Sequence, residues 1–114
     1  MKLVILESPF AGEVARNKLY ARLCMHECLS KGEAPFASHL LYTQPNVLND
    51  EIPGERKLGI DAGLVWGKQA ELTVVYEDFG ISDGMKYGIK NAEEAGRKIE
   101  YRFLDSEVFN RHFS

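Results

Sequence analysis

The chain opens on a short apolar run, Leu3 to Leu6, closed by Glu7-Ser8-Pro9-Phe10-Ala11-Gly12. A continuous apolar run of this length predicts a strand covered on both faces, and Ser, Pro and Gly turn the chain at its end. The period then changes. Val14, Ala21, Cys24, Met25 and Cys28 recur near helical spacing, which predicts a helix from about Glu13 to Lys31, stopped by Gly32. Ala34 to Ser38 reads as a second strand, with Pro35 near its start. It leads into Ser38-His39-Leu40-Leu41-Tyr42-Thr43-Gln44-Pro45, a dense group of hydrogen-bonding side chains just past a strand end. Asn46 to Pro53 is an irregular loop, suited to act as a lid over a site. A helix follows over about Gly54 to Gln69. Gly59 and Gly63 lie one turn apart in it, and the close approach they permit should offset their low helix propensity.

Leu72 to Tyr76 is a third strand, and Asp83 to Gly96 has the period of a helix. In Lys98 to Leu104, Ile99, Tyr101 and Phe103 alternate with charged residues, as in an edge strand. The tail, Asp105 to Ser114, carries Val108, Phe109 and Phe113 and reads as a short amphipathic helix that docks on the domain or on a neighbour. The order β-α-β-α-β-α-β predicts an α/β fold with a mostly parallel sheet and helices on both faces. Its 114 residues suit one domain, residues 1–104, followed by the tail, residues 105–114.

Charge and cysteine content narrow the function classes. The net charge is −3 and no basic block is present, which argues against a nucleic-acid polymer as partner. The first apolar run is too short for a signal peptide or a membrane span, so a cytoplasmic protein is expected. Cys24 and Cys28 sit four apart in a helical stretch and read as buried, reduced thiols. A metal pair with His26 or His39 is the alternative, but zinc sites want more ligands at tighter spacing. Neither a metal nor a cofactor is expected.

The candidate chemistry gathers at turns. Val74-Val75-Tyr76-Glu77-Asp78-Phe79-Gly80-Ile81-Ser82-Asp83-Gly84-Met85 runs from strand through tight turn to helix N-terminus. Free N–H groups and the helix dipole there suit an anion such as phosphate. An ordinary turn with Ser82 as N-cap explains the same residues. Arg16, in the first turns of the first helix, opposes the dipole; it either holds a phosphate or is a solvated surface arginine. His39 is a site residue or a packed loop histidine satisfied by backbone. If the turns at Ser8–Gly12 and Ser82–Gly84 both follow parallel strands, they should face each other across one edge of the sheet.

These residues together resemble the nucleoside 2-deoxyribosyltransferase-like superfamily, in a bacterial and phage branch of it. The resemblance is carried by Ser8-Pro9-Phe10-Ala11-Gly12 with Arg16-Asn17, and by Glu33-Ala34-Pro35-Phe36-Ala37-Ser38-His39-Leu40-Leu41-Tyr42-Thr43-Gln44. Glu55-Arg56, Gly59, Gly63 and Gly80-Ile81-Ser82-Asp83-Gly84-Met85 continue it. It implies a small Rossmann-like or flavodoxin-like domain. It also implies exchange or hydrolysis of the N-glycosidic bond of 2-deoxynucleosides or their 5′-monophosphates. By resemblance, Ser8, Phe10, Gly12, Arg16, Ser38, His39, Ser82, Gly84 and Met85 line the substrate pocket. Homo-oligomers in which a neighbour helps close that pocket are implied too, so a homodimer or higher even oligomer is expected.

One departure divides the functional reading. The superfamily's nucleophilic Glu belongs one helical turn after the glycine of the last turn, where this chain has Gly88. Glycine has no side chain to attack with. Asp83 is the best local substitute, with Asp61 as a second candidate and Glu77 and Asp78 as weaker ones. Asp83 is also explained as a helix-start acid with no chemistry. Tyr87 either stacks on a base or packs on the sheet. Three readings follow: an enzyme that cleaves or transfers an N-glycosidic bond using Asp83 or Asp61, a non-catalytic module that binds or sequesters a nucleotide, or a scaffold whose apolar tail recruits a partner.

Overall fold

The structure, a computed structural model, describes residues 1–114. Four parallel strands form one sheet in the order β2-β1-β3-β4: β1 is Lys2–Glu7, β2 Glu33–Phe36, β3 Leu72–Tyr76 and β4 Lys98–Arg102. Five helices complete it: α1 Val14–Ser30, α2 Ser38–Leu41, α3 Pro53–Gly67, α4 Asp83–Glu94 and α5 Ser106–Phe113. This is the α/β architecture with a parallel sheet that the period changes predict, consistent with a Rossmann-like or flavodoxin-like fold. The element missed from sequence is α2. One helical turn begins at Ser38, and Thr43 and Gln44 spend their side chains on the His39 and Leu40 carbonyls at its end.

Side-chain alternation along the strands decides what each sheet face meets. Val4 and Leu6 of β1 and Leu72, Val74 and Tyr76 of β3 point to the α1 face, where Tyr20, Ala21, Cys24 and Cys28 close the hydrophobic core around them, with the Tyr20 and Tyr76 hydroxyls bonded to the Asp78 and Glu27 carboxylates. Burial raises both thiols, Cys28 to about 11, so neither is a ready thiolate. The tail folds back on this same side. Asp105 caps α5 through the Glu107 and Val108 amides, and Phe109 and Phe113 pack around Phe79. Of the two docking surfaces open to the tail, it uses its own domain.

The other face of the sheet is less covered than the apolar run at β1 suggests. Leu3 is half exposed, and Ile5 and Glu7 line a cleft instead of a packed layer. The reason lies in α3. Its glycines bring it onto α2: a Cβ at Gly63 would lie 2.6 Å from Ser38 Oγ, too close for any side chain. Helix α3 therefore leans on α2, comes down on β1 at Gly67, and leaves a gap between itself and α4.

One buried ion pair ties the ends of the sheet together. Arg102 grips Glu33 with two nitrogens, at 2.8 and 2.6 Å, and its Nε bonds Glu100 at 2.9 Å. The fork matches the carboxylate, and these hydrogen bonds hold the Glu33 carboxyl below its ordinary range.

Candidate functional site

The gap between α3 and α4 is a cleft of about 420 Å³ at the carboxyl ends of β1 and β3. That volume is within the range of small-molecule sites, about 300–1,000 Å³. Its rim is built from two turns. The first, Ser8–Gly12, leaves β1; Gly12 takes φ +94°, a conformation that favours glycine. Asn17 holds this turn from α1, donating to the Phe10 and Ala11 carbonyls at 2.9 and 3.2 Å. The second turn leaves β3, with Gly80 at φ +81°. Ser82 then caps α4 by accepting from the Met85 amide. Ser8, Phe10, Gly12, Ser38, His39, Ser82, Gly84 and Met85 all line this one cleft.

Two residues of the sequence reading lie elsewhere. The Arg16 guanidinium donates to Asn17 Oδ1 at 3.0 and 3.2 Å and lies 4.0 Å over the Phe79 ring. It braces the first turn from outside the cleft, and the cation–π contact explains a basic residue at this helix start. Asp61 points away from the cleft and pairs with Lys57 at 2.7 Å. Asp83 is on the rim, but its side chain is 97% exposed and pairs with Lys86 at 3.4 Å. Such exposure gives no desolvation and no fixed geometry for attack. Asp78 is committed to the fold through the Tyr20 hydroxyl and the Leu104 amide.

The cleft supplies its own charges. Arg56 of α3 reaches over the α4 N-terminus, where its Nη2 would lie 3.2 Å from a Cβ at Gly84. It is held by Asp50 at 3.0 Å, from the loop before α3. Arg56, and not Arg16, is the arginine beside the α4 turn. Nothing in the local pattern separates the two arginines, since the tilt of α3 decides which one faces the turn. His39 bonds Ser8 through Nε2 at 2.7 Å, so a side chain satisfies it, not backbone. Burial pushes its pKa down to about 4, which makes the pair a neutral hydrogen bond at ordinary pH.

Glu7 forms the floor. Strand alternation turns its side chain away from the α1 core and under α4. Desolvation raises its pKa to about 8, opposed only by the field of Arg97. Arg97 is otherwise engaged: it donates to Thr73 Oγ1, the Gly67 carbonyl and Asn91 Oδ1 at 2.9, 2.9 and 3.1 Å. A Cβ at Gly88 would overlap the Glu7 carboxyl group. An acid closing an apolar run is the sequence trace of this residue, but only the cleft above it distinguishes it from a strand-end carboxylate in water.

A family model described as a domain of unknown function (DUF7768) matches residues 2–102. The chain belongs to that family. The match spans the four strands and every cleft residue named above; α5 lies beyond it. No curated protein matches the chain.

Proposed function

We propose that the cleft binds a nucleotide or nucleoside and that the protein acts on its N-glycosidic bond, as the resemblance of its turns implies. The observation that supports this reading is the shared cleft. The Ser8–Gly12 and Ser82–Met85 turns meet there, with Arg56 beside a helix N-terminus. A phosphate placed at that end would meet amide donors, the positive helix end and a guanidinium. Tyr87, 64% exposed on the α4 side of the cleft, offers a stacking surface for a base. The second reading, a non-catalytic nucleotide-binding module, is favoured by Gly88 alone.

A panel of 2′-deoxynucleosides and their 5′-monophosphates, followed by thermal shift and by chromatography of released base, tests the reading. Stabilisation by monophosphates above nucleosides is expected. Arg56→Ala should then weaken monophosphate binding by about 1.5–3 kcal/mol and nucleoside binding far less, because only the monophosphate gains a charge-assisted bond. Equal losses for both would remove Arg56 from the phosphate site.

We also propose a homodimer or higher even oligomer formed through α3. The support is its outer face, where Leu58, Val65 and Trp66 are exposed, Trp66 by 58%. A monomer mass by light scattering at micromolar concentration would refute this. No helix is long and apolar enough to cross a membrane, and a cytoplasmic location is part of the same proposal.

A further inference from the structure

The Glu7 carboxyl and Gly88 occupy one another's space. Glycine in the body of a helix costs about 1 kcal/mol relative to alanine, and α4 carries it at a buried position facing the sheet. The room left by the missing Cβ is filled by the carboxyl reaching up from β1. That carboxyl makes no hydrogen bond to the protein. Its one influential cation, Arg97, already has three partners of its own. The carboxyl is half-buried and opens only into the cleft, so its hydrogen-bond partner is whatever occupies the cleft, water or a ligand. The charged and titratable groups around the same space are Arg97 below, His39 and Tyr42 from α2 and its end, Arg56, Glu55 and Asp50 from α3 and its loop, and Asp83 and Tyr87 from α4. Of the acids among them, Glu7 is the one held at the floor.

We propose that Glu7 is the acid–base group of the cleft, delivered from β1 through the gap that Gly88 leaves in α4, and that it cleaves an N-glycosidic bond by hydrolysis. This rests on the nucleotide reading above. A nucleobase leaves poorly as an anion, so its departure needs a proton at a ring nitrogen. The protonated Glu7 carboxyl donates that proton as the C–N bond breaks and the bonding pair leaves with the base. Water then attacks the anomeric carbon and gives its proton to the Glu7 carboxylate, which restores the acid. The products are free base and sugar hemiacetal. Burial keeps the carboxyl protonated at neutral pH, the condition a general acid needs, and such groups contribute about 10²–10⁴-fold.

The test uses the four 2′-deoxynucleoside 5′-monophosphates as probes, with base release and ligand-induced melting shift both recorded. Glu7→Gln preserves shape and removes the proton donor. It should keep the melting shift and lose base release by at least about 100-fold. Glu7→Ala should lose it equally. Glu7→Ala with Gly88→Glu returns a carboxyl to the same space from the helix side and should recover at least tenfold over Glu7→Ala alone. Undiminished release by Glu7→Gln would overturn the proposal. A melting shift without release by the wild type would overturn it too and leave nucleotide binding standing. Neither shift nor release would overturn both.

Discussion

Glu7→Gln should raise the melting temperature by about 10 °C at pH 8 and leave it unchanged near pH 4. The cause is the carboxyl's raised pKa, about 8 in the fold against 4.5 in the open chain. Between those values the folded state holds a proton that the unfolded chain has released. Stability therefore falls as pH rises through this window. Below pH 4.5 both states are protonated and the penalty vanishes; above pH 8 it is complete. The full shift would correspond to more than 4 kcal/mol, but the cleft admits water, so about 2–3 kcal/mol is expected. For a domain of this size that is on the order of 10 °C. His39 works in the opposite sense. Its pKa is depressed to about 4, so the unfolded chain binds the extra proton and stability rises with pH between about 4 and 6.5. Both proteins share that contribution, so their difference isolates Glu7. Melting curves at intervals from pH 4 to 9 check it; a gap independent of pH would mean that Glu7 is not desolvated.

The second large effect lies far from the cleft. Glu33→Ala should cost about 3 kcal/mol in urea unfolding at pH 7. Arg102 is buried, and losing the bidentate partner leaves its guanidinium with one carboxylate contact, Glu100 on Nε, and a weak one from Nη1 to the Cys28 sulfur. Replacing both Glu33 and Arg102 with methionine should cost much less than Glu33→Ala, because no charge is then stranded. The pair also sets an acid limit. Glu33 has a lowered pKa, so its contribution is present above the ordinary carboxylate pKa and is lost as pH falls below it. Glu33→Ala should flatten that acid limb. A double variant as unstable as the single one would show that shape, not charge, governs this site.

Much of the fold was legible because its signals are local. The apolar runs at Leu3–Leu6 and Leu72–Tyr76, the period changes into α1 and α4 and the Ser82 cap depend on residues within a turn or two of each other. The alternation in β4 likewise marked a sheet edge. The two turns were readable for the same reason, and a parallel sheet then places both at its carboxyl edge. Helix α2 escaped because one turn of helix leaves no period to detect.

The charges of the site were not legible. Arg16 and Arg56 look alike in sequence, yet one lies over Phe79 and the other over the α4 N-terminus. Asp61, Asp83 and Glu7 are all acids near turns or glycines, and only Glu7 is desolvated. These outcomes depend on how α3 leans on α2 and how far it stands from α4, which is set by contacts between residues far apart in the chain. Gly88 shows the limit most clearly. Sequence alone shows a position without a catalytic side chain. The tertiary structure shows why glycine is there: strand β1 pushes a carboxyl into that volume, and two side chains cannot share it.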